Sequence, residues 1–247
     1  MSLTEPAGPG EWRTMGEITV DRLNEQDYVL HDFDVHMYLL CGKEKALLVD
    51  TGFGAADIKK ALSELTGLPL TVVCTHGHVD HCLGSPQFDK VYAHELEIPQ
   101  MKEIVGKGYD GFIPIAVGDV IDIGGRRFEV LLFPGHSPGA IALLSREERL
   151  IITGDNVATQ PVVMYMEGVD FDVYLENLKK LRDMKDQFDT IYPAHGKVPL
   201  STDFIDDLIE CVEEYMKGNL SGVPAIGPDK LDCTHYSTGK ASLFCKE

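Results

Sequence analysis

Within six residues, His76-Gly77-His78-Val79-Asp80-His81, the chain presents four side chains of the kinds that bind divalent metal. Imidazole is the commonest protein ligand for zinc and similar ions, and carboxylate is a frequent companion. A solvated surface loop does not account for such crowding. The run before the cluster, Leu68-Pro69-Leu70-Thr71-Val72-Val73-Cys74-Thr75, is short, β-branched and apolar, which reads as a buried strand. The cluster then occupies the loop beyond that strand's carboxyl end, where open α/β sheets place their sites.

Three later places repeat the sequence of strand, turn and candidate ligand. Arg126 to Phe133 reads as a strand and runs into Pro134-Gly135-His136-Ser137-Pro138-Gly139, where tight turn residues hold one histidine at the sheet rim. Leu150 to Thr153 ends in Gly154-Asp155-Asn156, and Thr190-Ile191-Tyr192-Pro193-Ala194 ends in His195-Gly196. Together His76, His78, Asp80, His81, His136, Asp155 and His195 make seven groups. A catalytic zinc takes about three protein ligands and keeps a position for water, so this set fits two ions sharing one carboxylate. Asp50, at the end of the apolar run Ala46 to Val49, is open to two readings: it orients a neighbouring ligand or it caps the helix expected over 55–65.

The remaining elements follow from periodicity. Strands are expected over 18–23, 37–41, 46–50, 91–93, 120–123, 126–133, 140–144 and 150–153, and the pair around Gly124-Gly125 forms a hairpin. Helices are expected to start near His94 and to span 172–188 and 202–216, the last with Ser201 as its cap. His31 to His36 reads as a polar, aromatic loop, and 157–170 as an irregular apolar stretch that either walls a substrate pocket or packs in the core. Phe33, His36, Tyr165, His235 and Tyr236 are candidates for lining that pocket, with packing as the alternative for each. Lys240 and Ser237 either meet an anionic group or belong to a solvated tail. Residues 1–13 read as a loose arm, and with no linker in view the chain is taken as a single domain over 1–247.

Charge narrows the partners. Lys and Arg total 22 against 40 Asp and Glu, a formal charge of −18, which repels nucleic acid and anionic membrane surfaces. A small-molecule substrate and a second copy of the chain remain as partners. The start of the chain has no basic, apolar leader, and no run approaches spanning length, so a cytoplasmic setting is expected. The six cysteines have neither paired nor four-thiolate spacing and are read as reduced thiols, with Cys74 and Cys82 packing as small hydrophobes beside the histidine cluster.

These motifs resemble the metallo-β-lactamase superfamily. Its His-X-His-X-Asp-His signature stands as His76 to His81, and Leu48-Val49-Asp50-Thr51-Gly52, His136, Gly154-Asp155 and Pro193-Ala194-His195-Gly196 match its other motifs in order. The resemblance implies an α/β fold of the four-layer αββα sandwich type. It implies that His76, His78 and His136 hold a first metal, that Asp80, His81 and His195 hold a second, and that Asp155 bridges them. Asp80 and Asp155 are then the implied catalytic carboxylates, and the cofactors are two divalent ions, zinc first, with iron or manganese as alternatives.

Two metals so placed lower the pKa of a shared water, and the resulting hydroxide attacks an electrophilic carbonyl or phosphorus. The bridging carboxylate, typically absent from lactam-cleaving members, points to relatives resembling glyoxalase II, lactonases and phosphodiesterases. The expected activity is hydrolysis of a small ester, lactone or thioester. The alternatives are a mononuclear-iron oxidoreductase similar to persulfide dioxygenases, a small-molecule phosphodiesterase, and a metal-binding protein without catalysis. Flavin-linked diiron members carry Glu where this chain has His78. Glyoxalase II proper has a basic C-terminal helical domain, whereas the segment after His195 here supplies one helix and a short tail.

Overall fold

The computed structural model describes residues 4–8, 11–14 and 16–246. The chain divides into two compact units, residues 1–130 and 131–247. At the start of the first, β1 (Thr4–Gly8) and β2 (Glu11–Thr14) pair as an antiparallel ribbon, and the rest of the expected loose arm lies outside the described residues.

A seven-stranded sheet organises the first unit, its strands lying side by side in chain order. These are β3 (Ile18–Arg22), β4 (Asp27–Asp32), β5 (Val35–Cys41), β6 (Ala46–Val49), β7 (Leu70–Val73), β8 (Val91–His94) and β9 (Phe112–Ile115). β3 to β6 run antiparallel through short turns. From β6 to β9 the strands run parallel, with α1 (Ile58–Leu65), α2 (Val79–Cys82) and α3 (Ile98–Val105) in the crossovers. Parallel neighbours demand crossovers of this kind, and parallel strands end together on one rim. β5 and β6 are buried along nearly their whole length, and from Met37 onward β5, like β6, reads as an apolar run. Leu39, Leu48 and Val72 pack with Ile58 and Leu62 of α1 and Met101 of α3 in one core. A hairpin of β10 (Val120–Asp122) and β11 (Arg127–Leu132) follows. Arg126 at its turn donates to Asp27 Oδ1 at 2.7 Å and to the Cys41 carbonyl at 3.1 Å, so the buried pair is also hydrogen-bonded to backbone.

In the second unit β12 (Ile141–Ser145) and β13 (Leu150–Gly154) are antiparallel, and β13 pairs in parallel with β15 (Thr190–Pro193). The crossover between them carries the two-residue strand β14 (Val162–Val163) and helix α4 (Phe171–Asp183). β16 (Leu200–Ser201) pairs with β15, and α5 (Phe204–Met216) follows. The chain then forms β17 (Val223–Ile226), β18 (Asp232–Ser237) and β19 (Ser242–Cys245), which with β14 make a second sheet in the order β14, β19, β18, β17. Tyr174, Leu178 and Leu181 of α4, Leu208 and Val212 of α5, and Ile151, Ile191, Leu243 and Cys245 from the strands share the core. Among the described residues no helix is long and apolar enough to cross a membrane.

Several sequence expectations need correction. His31 to His36 is not a loop: it is the turn of the β4–β5 hairpin, with only Phe33 and Asp34 outside the strands. Its polar side chains are buried because they are paired, His31 with Asp21 at 3.0 Å and Asp32 with the Phe53 amide at 2.8 Å. The strand ending at His94 is followed by a turn, so the helix there begins at Ile98, with Pro99 in its first turn where the missing amide costs nothing. Ser201 belongs to β16, and its hydroxyl accepts from the Asp203 amide without capping α5. β17 and β18 escape the pattern reading because their polar and half-exposed residues lack a clean alternation, and β19 alternates over only four residues.

Candidate metal centre

The first unit holds four of the candidate ligands on the loop after β7. A strand end, the Gly77 turn and the single helical turn α2 bring His76, His78, Asp80 and His81 together. His76 Nε2 lies 3.0 Å from His78 Nδ1, and His81 Nε2 lies 3.4 Å from Asp80 Oδ2. The His76 and His81 rings are 4.0 Å apart. Tetrahedral bonds of about 2.0–2.1 Å place neighbouring ligand atoms about 3.3 Å apart, so these spacings fit groups converging on a cation. His76 and His81 are buried, while the Asp80 side chain keeps 18% of its exposure and can exchange protons with solvent.

Asp50 sets the tautomers. Its Oδ2 accepts from His81 Nδ1 at 2.9 Å, and both of its oxygens accept from the Thr75 hydroxyl, at 3.0 and 3.1 Å. Because the hydroxyl's one proton goes to Asp50, its oxygen accepts from His76 Nδ1 at 3.1 Å. Both rings thus carry hydrogen on Nδ1 and present a lone pair on Nε2, the arrangement that carboxylate partners impose on metal-ligating histidines. Asp50 adopts φ +64°, a left-handed conformation that Asp tolerates better than most residues. Of its two sequence readings the orienting one describes the structure, since Asp57 caps α1. Glu97 braces the turn from below: its Oε2 accepts from the Gly77 amide at 2.7 Å, and a Cβ at Gly77 would stand 2.9 Å from that oxygen.

Asp32, fully buried, holds the segment after Asp50 through the Phe53 amide, and burial pushes its carboxyl above the usual range, with the Asp80 charge adding to the effect. Phe33 meets Phe53 edge to face at 6.2 Å, and His36 is buried against His31 and Tyr38.

The second unit holds His136, Asp155 and His195. Asp155 stands between the other two: Oδ2 is 3.4 Å from His136 Nε2, and Oδ1 is 3.3 Å from His195 Nε2. A carboxylate with a different imidazole at each oxygen is disposed to bridge two ions. His136 gives its Nδ1 hydrogen to the Val163 carbonyl at 3.0 Å, which puts the ring's lone pair on Nε2, the atom facing Asp155. Helix α4 fixes both turns. Gly135, at φ +129°, lies so close to Tyr174 that a Cβ would overlap that residue's backbone, and the Tyr174 hydroxyl donates to the Asn156 carbonyl at 2.6 Å. The phenol is driven well above its usual range, first by burial and then by the Asp155 charge, and so remains a donor. Thr159 Oγ1 accepts from the Lys197 amide at 2.8 Å beside Gly196, which secures the His195 turn.

Other candidates serve packing or surface pairing. Tyr165 donates to Asp229, Tyr236 packs on Tyr215, and His235 packs on Phe244. Lys240 pairs with Asp207, and Ser237 donates to the Ala241 carbonyl. Sequence reasoning missed Thr75, Glu97, Val163, Tyr174 and Thr159. Thr75 adjoins a ligand and could have been suspected, whereas a backbone carbonyl such as that of Val163 leaves no trace in residue type.

Comparison with known proteins agrees with this chemistry. The model of the metallo-beta-lactamase superfamily matches residues 31–195. The "Beta-lactamase-like protein 2 homolog" of Caenorhabditis elegans is 28% identical over 73% of this chain and 60% of its own length, so the match leaves much of that relative uncovered. Human "Acyl-coenzyme A thioesterase MBLAC2" is 24% identical over 65% of this chain and 72% of that protein. The "Hydroxyacylglutathione hydrolase" of Nitrosomonas eutropha is 26% identical over 78% of this chain and 76% of that protein. A solved metallo-beta-lactamase from Pontibacter korlensis superposes with a TM-score of 0.68 over 80% of this chain and 99% of that one, at 19% identity. That likeness fixes the fold, an α/β fold of the αββα class that the motifs imply. The His and Asp donors and the family together imply divalent metal ions.

Proposed function

Because the chain belongs to the metallo-beta-lactamase superfamily, we propose that it is a hydrolase of small thioesters, esters or lactones that works with two divalent ions, zinc before iron or manganese. The observation that carries this reading is Asp155, with His136 at one oxygen and His195 at the other. Within the first unit His76, His78, Asp80 and His81 converge, and within the second His136, Asp155 and His195 do, each set being of the donor types that hold a divalent ion. Thioesters lead among the substrates because the relatives named above are described as a thioesterase and a hydroxyacylglutathione hydrolase. Repulsion from a charge of −18 argues for a small molecule over nucleic acid.

When bound, the ions supply an acidified water and an electrophilic hold on the scissile carbonyl. The chain's own residues do the rest. Asp50 and Thr75 keep His76 and His81 in the ligating tautomer, and the Val163 carbonyl does the same for His136. Asp80, part-exposed next to His81, takes the proton that the attacking water releases and passes it to the leaving group or to solvent. A thiolate leaving group needs little protonation, whereas an alkoxide needs more, so this carboxylate matters most for esters. The test is hydrolysis by metal-loaded protein of an acyl-coenzyme A, an acylglutathione, a lactone, an aryl ester and a phosphodiester. Thioester turnover that disappears with chelation supports the proposal; inertness toward every carbonyl substrate overturns it.

A further inference from the structure

The acceptor that fixes His136 is held by a part of the chain outside residues 31–195, the span the family model matches. Val162 and Val163 of β14 pair in parallel with Leu243 and Phe244 of β19, and the Met164 amide donates to the Phe244 carbonyl at 2.8 Å. Backbone groups of successive residues in a strand leave from opposite edges. With Met164 turned toward β19, the Val163 carbonyl emerges from the other edge, where it meets His136 Nδ1. A carbonyl has no hydrogen to give, so the contact fixes both the tautomer and the ring angle.

β19 is anchored along its buried face and again just past its end. Leu243 and Cys245 are buried in the core that contains Tyr174 and Val162. Just beyond the strand, Lys246 Nζ sits 4.1 Å from the Tyr165 ring centroid and 3.6 Å from Asp229 Oδ2. The Tyr165 hydroxyl donates to Asp229 Oδ1 at 2.8 Å, and Gly227 lies so close that a Cβ there would overlap this hydroxyl. The residues on either side of the β14–β19 pairing are therefore clasped to each other.

We propose that the C-terminal strand β19 is a positioning element for His136, fixing the proton and orientation of that imidazole through β14, so that metal affinity depends on Ser242 to Lys246. The inference rests on the reading of His136 as a metal ligand. Met164→Pro deletes the amide that joins β14 to β19 while keeping the chain extended. It should weaken zinc binding, read by chelator competition, about ten- to a hundredfold, the range for losing a ligand's hydrogen-bond partner. Nitrogen-resolved NMR of the metal-free protein should show His136 passing from Nδ1–H to a mixture of tautomers, which mere loss of stability would not cause. Lys246→Ala, on an exposed residue, should weaken zinc about two- to fivefold, the worth of an exposed cation–π contact, and speed hydrogen exchange at the Met164 amide. It decides the matter should Met164→Pro fail to fold. His136→Ala separates the two readings. If it leaves zinc affinity unchanged, the ligand reading falls. If it weakens zinc while Met164→Pro and Lys246→Ala leave both affinity and tautomer as in the parent, the positioning role of β19 is overturned.

Discussion

Replacing Asp50 by Asn tests whether the buried carboxylate sets the histidine tautomers. The backbone is not the issue, since Asn tolerates φ +64° as readily as Asp. What changes is the donor and acceptor pattern. Asp50 offers acceptors to the Thr75 amide at 2.7 Å, the Thr75 hydroxyl and His81 Nδ1 at 2.9 Å, whereas Asn has one acceptor and one donor group. With its oxygen toward Thr75, the Asn amino group faces His81 Nδ1, and the imidazole proton must move to Nε2, the ligating atom. With the amide reversed, the amino group meets the Thr75 N–H and leaves a buried donor unsatisfied, at about 1–3 kcal/mol. The first outcome weakens metal binding about 10- to 100-fold, equivalent to about 1.4–2.7 kcal/mol. The second lowers the stability of the metal-free protein instead. Chelator-competition titration and urea unfolding of the metal-free protein measure the two separately. An Asp50→Asn protein with parental zinc affinity and parental stability would show that the Asp50 carboxylate does not set the histidine tautomers.

Gly135→Ala should cost about 2–6 kcal/mol in urea unfolding, the sum of left-handed strain and overpacking against Tyr174. A cost below about 0.5 kcal/mol would show that the turn can move away from α4. Tyr174→Phe removes the buried donor to Asn156 and should lower stability by about 1–3 kcal/mol, together with weaker zinc binding through the Asp155 turn. Burial pushes the Cys245 thiol up to about 11, against which a hydrogen bond with Tyr215 acts only in part. Its folded pKa is raised, so the stability gained by keeping the thiol neutral is intact below about 8.5, the ordinary thiol value. That contribution is lost as pH climbs from there to about 11. Cys245 should accordingly resist alkylation at pH 8 in the native protein and react on unfolding; rapid native labelling would contradict this.

The strongest signals in the sequence were local. Four ligand types within six residues after a β-branched strand identified the loop beyond β7, and the strand, turn and ligand pattern located His136, Asp155 and His195 one at a time. Hydrophobic periodicity found α4 and α5 to within a few residues, because each buries one apolar face. It failed at the β4–β5 hairpin, where His31, Asp32 and His36 are polar yet buried, since only tertiary partners such as Asp21 and the Phe53 amide make that burial affordable. It failed again at β14 and β19. A two-residue strand has no period, and its pairing joins positions about eighty residues apart that nothing local announces. The groups that hold the ligands were the least legible part, because Glu97 and the Val163 carbonyl act through geometry alone.

If Asp155 serves two ions at once, as proposed, its replacement by Ala changes the metal content of the purified chain, read by plasma mass spectrometry. The parent should hold two equivalents of divalent metal per chain and Asp155→Ala markedly less, with thioester hydrolysis following the metal. Two equivalents retained in Asp155→Ala, or a parent that binds none at micromolar zinc, would contradict that role of Asp155.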